Sequence, residues 1–568
     1  MPSGTVAKSL FVIAAGLTIA GCGQTFDERR QTVLYQVQEG EFAKANGNLN
    51  DIYGCHDKGE PPKEGASPAD SASIDEKQRL LWRMERGMTD HLAGNLAVSN
   101  AELDDAARLV DDRRTISATR EVGTYLANDT LREYAGHAYE HIQVDYYRIM
   151  NHLMEGERLL GMLGAGTAKP AEGTPDRIQA DSEFESAMVR ARRMTLNQIV
   201  ETTDAAGNKR YQDDPFARFL AAAVVWSMPP SSRGDGEMEF ANVMLRNSMR
   251  AYVDEEKALG HDSHFHYEVT GTPPALVKKL FLRHALAYDP GGADDLAAKF
   301  GLSIAPDTKL AKGTGMLLVL DHVGYISRPQ VLSIGCGAVA PGGLLPGQST
   351  ASFTMGGLVW WAKGPGADII NGIPVPLPDT AMRYLTPGGA AVIGLEIPVH
   401  APDTILPDPG RVLISGGGPG ATTQQSVDLE VVSDLDAYAR ATLKDEQPTL
   451  LIKTITRALL KQAVAAGAAQ GVKETVGKQD QALGDLLAFA INLGGSAAAT
   501  ATENADIRAW TTLPDHIEAA LVDLPAGSYA LDLDTREGIV PLGPVTIRAN
   551  EMTIIPTRTF PFRVHPPK

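Results

Sequence analysis

The chain has 568 residues, of which 70 are acidic and 52 are basic, so its formal net charge at pH 7 is −18. With 43% hydrophobic and 21% charged residues, the composition is that of a globular protein, which excludes a wholly disordered chain and a coiled-coil rod. Nucleic-acid binders need clustered Lys and Arg to neutralise phosphates. The sequence carries no such cluster, so we expect no nucleic-acid partner.

The amino terminus has the pattern of a bacterial lipoprotein signal. Lys8 precedes an apolar run over residues 10–21, which is too short to span a bilayer and fits the core of a secretory signal. The run ends in Ala20-Gly21-Cys22, which resembles the lipobox, in which the cysteine accepts a diacylglycerol. An ordinary signal peptide with a chance cysteine and a buried N-terminal helix are the alternatives. The pattern predicts a signal peptide over residues 1–21 and a lipid anchor on Cys22.

This predicted anchor places the protein in the bacterial cell envelope, attached to a membrane. Gly23 stands where an Asp would favour the inner membrane in proteobacterial lipoproteins, so we expect the outer membrane and its periplasmic side. Two further cysteines, Cys55 and Cys336, are compatible with one disulfide in an oxidising periplasm or with two separate thiols. The sequence leaves both arrangements open.

Residues 22–300 carry helical patterns that predict a tetratricopeptide-like domain. Gly40-Glu41-Phe42, followed by Ala45, is typical of the corner between two helices of such a repeat. The glycine permits the turn, the aromatic ring fills the wedge, and the alanine lets the second helix approach. Because the marker glycines are unevenly spaced, an unrelated helical bundle is the alternative. The other predicted pairs are marked by Gly94, by Gly156 with a second helix over residues 184–194, and by residues 215–226 with 240–252.

The rest of the chain is predicted to be mainly β-structure, which gives the α+β fold class. Alternation of Tyr529, Leu531 and Leu533 with polar residues is typical of an antiparallel sheet with one buried face. Ser433 is a predicted helix cap. The predicted units are a β-rich domain over residues 301–432 with apolar runs at 316–325, 391–400 and 427–432, Ala-rich helices over 433–505, and a small C-terminal antiparallel β domain over 506–568.

The order of these features resembles a family of uncharacterised bacterial lipoproteins with tetratricopeptide-like repeats. The most distinctive match is the Asp-x-Arg-x-Trp-x-x-Leu-Pro element that begins at Asp506. The resemblance implies an envelope lipoprotein with a role in peptidoglycan or outer-membrane assembly, and it brings no chemistry with it. The residues that carry it are Tyr139-Glu140, Asp145-Tyr146-Tyr147, Asn151, Asp214-Pro215-Phe216-Ala217-Arg218, Arg457, Lys461, residues 505–514 and residues 524–529.

Two groups of residues are candidates for contacts. Asp506 and Arg508 are spaced to form a charged pair, and Trp510 offers a large apolar face. We expect this element to be a structural clasp between the Ala-rich helices and the terminal sheet, with ligand binding by Arg508 and Trp510 as the alternative. The aromatic side chains that would line a groove for a protein partner, or else belong to the core, are Trp82, Tyr146, Tyr147 and Trp226.

One pattern has the spacing of a metal site. His137-Ala138-Tyr139-Glu140-His141 places two imidazoles one helical turn apart with a carboxylate beside them, as in zinc peptidases of the inverted H-x-x-E-H type. Such an enzyme also needs a third ligand, and Glu183, Glu185 and Glu201 are candidates by position alone. The segment also opens the third helical pair, which explains Tyr139 and Glu140 without a metal.

The sequence therefore favours a non-enzymatic protein-interaction scaffold in the envelope, with an unidentified protein partner and a membrane bound through the lipid. We expect no catalytic residues, no metal and no cofactor in this reading. A zinc-dependent hydrolase that uses His137, Glu140 and His141 is the alternative function.

Overall fold

The computed structural model describes a large part of the chain. Cys22, Cys55, residues 1–21 and almost all of the Ala-rich stretch after residue 446 lie outside the described residues, and so does the side chain of Cys336. Helices and strands both occur, which confirms the α+β class. The described residues are 26–54, 56–57, 72–73, 75–124, 132–161, 174–202, 213–259, 271–337, 350–355, 358–363, 393–400, 409–417, 423–446, 450, 454, 505–535 and 538–560.

Helices stacked in chain order form the N-terminal part, here called the helix array. Each helix packs on the next one, as the first does on the second, and the most extensive contacts join the third with the fourth, the fifth with the sixth and the seventh with the eighth. The predicted helical pairs lie at these places. The helices are α1 (Phe26–Gln38), α2 (Phe42–Ile52), α3 (Arg79–Leu92), α4 (Leu96–Thr124), α5 (Ala138–Leu159), α6 (Pro175–Thr202), α7 (Pro215–Ser227), α8 (Asp235–Leu259), α9 (Ala275–Tyr288) and α10 (Ala293–Ala298).

The marker glycines serve two different purposes. Gly40 and Gly94 have φ of +72° and +77°, so they form the predicted corners, which a residue with a Cβ would strain. Gly156 is not a corner, because it lies inside α5 and the turn comes at Gly161, whose φ is +65°. A Cβ at position 156 would lie 3.1 Å from the Phe184 ring. Gly156 therefore lets α5 and α6 approach closely.

The strands of the described residues form three four-stranded sheets and one small pair. The central sheet has the order β10-β11-β3-β14, the outer sheet β13-β12-β8-β9 and the third sheet β5-β6-β4-β7, while β1 pairs with β2. The strands are β1 (His56–Asp57), β2 (Ala72–Ser73), β3 (Thr314–Val323), β4 (Pro329–Gly337), β5 (Thr350–Met355), β6 (Leu358–Lys363), β7 (Ile393–His400), β8 (Arg411–Gly417), β9 (Thr423–Asp428), β10 (Glu430–Asp434), β11 (His516–Pro525), β12 (Gly527–Thr535), β13 (Gly538–Ile547) and β14 (Met552–Thr559).

The predicted β domains over residues 301–432 and 506–568 share their sheets. β3 pairs with β11 in antiparallel fashion and with β14 in parallel fashion, and β12 pairs with β8. The predicted boundary therefore does not separate two sheets. Local alternation of apolar and polar residues finds single strands, but it carries no information about which distant strand each one pairs with.

The central sheet is covered on both faces, which explains why the run Met316–Leu320 is continuously apolar. Its side chains at 316, 318 and 320 join the core shared with the helix array, whereas those at 317 and 319 join a second core against the outer sheet. The helix array, the central sheet and the outer sheet thus form three successive layers. Tyr529, Leu531 and Leu533, predicted to face inward, belong to the second core.

One described helix follows β10, over residues 435–446 (α11). Its cap is Asp434, whose Oδ1 accepts the backbone N–H of Ala437 at 2.9 Å, and the predicted cap Ser433 lies one residue earlier, within β10. A carboxylate one residue further along caps equally well, so the pattern located the helix start to within one position. No helix among the described residues combines the length and the apolar composition that a membrane span requires.

Candidate functional site at the junction of helices and sheet

Alternate helices of the array face the rest of the molecule. α5 and α7 contact β14, α7 also contacts β10, and α9 contacts β11. α1 and α3 contact residues 506–513, here called the clasp segment. We call α1, α3, α5, α7 and α9 the inner helices and the other five the outer helices. The junction between the inner helices and the clasp segment holds most of the residues singled out in the sequence.

Glu85 of α3 binds the clasp segment through both carboxylate oxygens. Oε1 accepts the backbone N–H and the hydroxyl of Thr511, both at 2.8 Å, and Oε2 accepts the hydroxyl of Thr512 at 2.5 Å and its N–H at 3.3 Å. The side chain is 1% exposed. Burial raises the pKa of Glu85, while the bonds from Thr512 and Thr511 lower it. Four donors on one buried carboxylate fix the segment in position.

Glu140 and Arg30 form hydrogen bonds to further residues of the clasp segment. Glu140 Oε1 accepts the backbone N–H of Trp510 at 2.6 Å, and its Oε2 accepts the hydroxyl of Tyr134 at 2.7 Å. Arg30 of α1 donates to the carbonyl oxygens of Ile507 at 3.2 Å and Ala509 at 3.0 Å. The inner helices therefore bind mainly the backbone of an extended stretch, as a peptide-binding groove binds its peptide.

Arg508 and Trp510 belong to the clasp segment and bind neighbouring parts of the chain through their side chains. Arg508 pairs with Asp506 at 2.6 Å, as their spacing predicted, and it donates to the carbonyl oxygens of Lys77 and Arg132. Trp510 is fully buried, and its ring centroid lies 6.1 Å from that of Tyr147. These contacts fit a structural clasp. Its described partners are the inner helices and the residues just before α3 and α5, while the predicted contact with the Ala-rich helices lies outside the described residues.

The His137-x-x-Glu140-His141 pattern does not converge on one point. His141 Nδ1 lies 2.7 Å from Glu201 Oε1 and its Nε2 lies 2.9 Å from the carbonyl oxygen of Ala135, so both ring nitrogens are engaged. Glu140 Oε2 accepts the backbone N–H of His137 at 2.8 Å, and its other oxygen faces Trp510. The geometry explains the pattern as the start of α5 bound to the clasp segment.

Two of the three proposed third ligands bond a histidine directly, and the third, Glu185, lies at an exposed position. Glu201 pairs with His141, and Glu183 pairs with His152 at 2.7 Å. Within the part of the chain that the structure describes, no group of three His, Cys, Asp or Glu side chains is placed to hold a metal ion. The zinc reading therefore finds no support in the geometry of α5.

The aromatic candidates for partner contacts are core residues. Trp82 and Trp510 are fully buried, Tyr146 and Tyr147 are 1% exposed, and Trp226 is 4% exposed. The expected groove is filled by the chain's own clasp segment and central sheet. In this conformation these side chains cannot contact a separate partner, because the inner face of the array is already covered.

A cavity of about 160 Å³ lies next to this junction, between the inner helices and the central sheet. His91 Nδ1 bonds the Asn151 side-chain oxygen at 2.6 Å. His322 lies between the hydroxyl of Tyr146 at 2.7 Å and the carbonyl oxygen of Thr557 at 2.9 Å. Burial lowers the pKa of His91 to about 4 and that of His322 to about 3, so both rings are neutral at pH 7. The lining residues are His91, Leu92, Tyr147, Met154, His322, Pro556, Thr557 and Arg558.

Sequence reasoning had singled out only Tyr147 from this lining. The others come from three distant parts of the chain, and no local pattern joins them. Glu85 was also missed, although a signal exists: it is a carboxylate inside the otherwise buried run of α3, between Met84 and Met88. Such a charge at a core position indicates a buried partner.

The comparisons with known proteins add no further constraint. No family model, no curated protein and no solved structure matched the chain. The geometry and the sequence patterns are therefore the basis for a functional proposal.

Proposed function

We propose that this protein is a non-enzymatic protein-interaction scaffold of the bacterial cell envelope, held at the outer membrane by a lipid on Cys22. Its tetratricopeptide-like helix array binds an amphipathic helix of another envelope protein. That partner docks on the outer helices. The observation that supports this proposal is a row of exposed aliphatic side chains on α6.

The row contains most of the strongly exposed aliphatic side chains found among the described residues. At about 100° per residue, Ile178, Val189 and Leu196 lie within about 20° of one another around the helix axis. Soluble proteins seldom leave such a row uncovered, and exposed apolar patches are typical of interaction sites. The exposed fractions are 62% for Ile178, 54% for Val189, 63% for Leu196, 55% for Ile199 and 55% for Val200.

The shape of the row favours a helix as its occupant. Val189, Leu196 and Ile199 are separated by seven and three positions, which is the spacing that packs one helix along another. The array extends the surface, because Arg192 of α6 pairs with Glu237 of α8 and lies over the Phe240 ring. The first half of α8 therefore lies beside the row.

A site-specific crosslink tests the docking surface. A photo-reactive residue at Leu196 should yield one defined protein adduct in living cells. The control is Ile539 of β13, which is 62% exposed and lies in the outer sheet. Leu196→Asp should reduce recovery of the same partner by about tenfold, since it puts a charge in an apolar interface, whereas Ile539→Asp should leave recovery unchanged. Equal adducts from both positions, or none from either, would contradict the proposal.

Fractionation tests the anchor separately. Cys22→Ala should move the protein from the membrane fraction to the soluble fraction, because one thiol carries the lipid. Cys55→Ala is the control and should leave the protein in the membrane fraction. A Cys22→Ala protein that stays with the membrane and carries no lipid would overturn the anchor while leaving the crosslinking result interpretable.

A further inference from the structure

The cavity next to the junction combines an apolar rim with a polar interior. Leu92 and Met154 are half-buried at its rim, while His91, Tyr147 and His322 are buried in its wall. The inner helices α3 and α5 supply one side, and β3 and β14 supply the other. Elements from three distant parts of the chain thus enclose one space.

The wall of this cavity holds donors that lack acceptors. Arg558 donates through Nη2 to the carbonyl oxygens of Gly324 at 2.5 Å and Thr512 at 3.1 Å. Its Nε and Nη1 and the hydroxyl of Tyr147 are buried without a hydrogen-bond acceptor among the described residues. Arg558 lies close enough to Tyr147 to counteract in part the rise in the pKa of Tyr147 that burial causes. Buried donors without acceptors are costly, so the wall favours a ligand that accepts.

The site is also electropositive. The Arg558 guanidinium lies 5.3 Å from the ring centroid of Tyr325 and 5.2 Å from that of Phe560, and no carboxylate of the described residues lines the cavity. Burial is the largest cause of the lowered pKa of His322, and the positive charge of Arg558 lowers this pKa further. The nearby carboxyl of Asp321 has a pKa raised to about 7 by burial, so it offsets the cation only in part at neutral pH.

We propose that this cavity binds a small organic anion, a carboxylate with a compact apolar body. The carboxylate would accept from Tyr147 and from one of the two unused nitrogens of Arg558, which lie on opposite edges of the guanidinium. Leu92, Met154 and Pro556 would contact the apolar part. A cavity of about 150 Å³ holds benzene, so the space suits a body of about that size. This site is independent of the scaffold function proposed above.

Titration of the purified full-length protein with benzoate tests the proposal. Benzoate should bind at one site and raise the unfolding temperature, whereas benzyl alcohol, which is similar in size and uncharged, should bind at least about tenfold more weakly. Inorganic phosphate should also bind more weakly, because it cannot use the apolar rim. No saturable benzoate binding, or phosphate binding as tight as that of benzoate, would overturn it.

Two variants locate the binding. Tyr147→Phe removes a hydroxyl that bonds no described residue, so the fold should persist while benzoate affinity falls by about tenfold. Met154→Trp should fill the rim and abolish binding. Tyr288→Phe is the matched control, since Tyr288 is 40% exposed on α9, and it should bind benzoate as the unaltered protein does. Benzoate affinity unchanged in both cavity variants would show that the anion binds elsewhere and refute the site.

Discussion

The two faces of the central sheet are held by different kinds of contact. On the face toward the helix array, buried carboxylates accept backbone N–H groups: Glu85 and Glu140 bind the clasp segment, and Glu157 binds Ile554 of β14 at 2.7 Å. On the face toward the outer sheet, the contact is a core of aliphatic side chains with Tyr529. The helix side thus combines an apolar core with several directed bonds to the main chain, whereas the outer side depends mainly on apolar area.

The two kinds of contact have different effects: directed bonds fix the position of a segment, whereas apolar packing contributes to the free energy of unfolding. Apolar packing is nearly non-directional, so it stabilises two sheets without selecting one register by itself. A buried carboxylate that accepts four donors tolerates only one placement of the segment it binds. The carboxylates on the helix side therefore determine where the clasp segment lies, and apolar cores supply free energy on both sides.

The largest expected loss comes from the helix side. Glu85→Ala leaves four donors of Thr511 and Thr512 unsatisfied, so we expect the free energy of unfolding to fall by about 4 kcal/mol. Urea unfolding followed by circular dichroism measures it. Glu39→Ala, a change at an exposed position after α1, is the control and should alter the stability by less than about 0.5 kcal/mol. A loss below that of the aliphatic substitution described next would remove the contrast between the two faces.

A smaller loss is expected on the outer face. Leu531 of β12 is 1% exposed, and Leu531→Ala should lower the free energy of unfolding by about 3 kcal/mol through lost burial and a cavity. Ile539→Ala, at an exposed position of β13, should cost less than about 0.5 kcal/mol. The contrast becomes sharper if Leu531→Ala leaves the clasp segment protected in hydrogen exchange while Glu85→Ala does not.

The smallest expected effect depends on pH and concerns the charged end of β10. Burial, together with Asp515 and Asp436, raises the pKa of Asp434 to about 7. Because the folded chain holds this proton more tightly than the unfolded chain, its contribution to the free energy of unfolding should decrease as pH rises from about 4 to about 7. Asp434→Asn keeps the cap and should remove about 2 kcal/mol of that decrease between pH 5 and 7.

Stability curves at pH 5, 6 and 7 check this expectation. His516 lies beside the same carboxyl groups. Burial lowers its pKa, but bonds to Asp515 and Glu518 raise it to about 9, so it stays protonated over this range. A variant with the same pH dependence as the unaltered chain would contradict the assignment to Asp434.

The helical part could be predicted because its signals are local. Gly40 and Gly94 sit between two apolar periodic runs, and a turn that needs positive φ is readable from neighbours alone. Gly156 misled for a physical reason: the absence of a Cβ serves a close helix contact as well as a turn. Sequence spacing does not distinguish these two uses of glycine.

The candidate site could be predicted only where it is continuous in sequence. The Asp506–Trp510 element was identified as a clasp, since its charged pair and large ring lie together. Its partners Glu85 and Arg30 lie more than 400 residues away, and the cavity joins His91, His322 and Arg558. Tertiary packing brings these residues together, so no hydrophobic period or motif within one segment predicts their contact.

The pairing of β3 constrains the order in which the molecule is completed. Both neighbours of β3 come from residues 516–559, with β14 in parallel beside it. The helix array is synthesised first, so the apolar sides of α5 and α7 stay exposed until β14, near the end of the chain, has been made. Pairing between strands so far apart in sequence makes folding slow. A chain interrupted before β14 would leave β3 with one bare edge and Glu157 without Ile554, a species prone to aggregation.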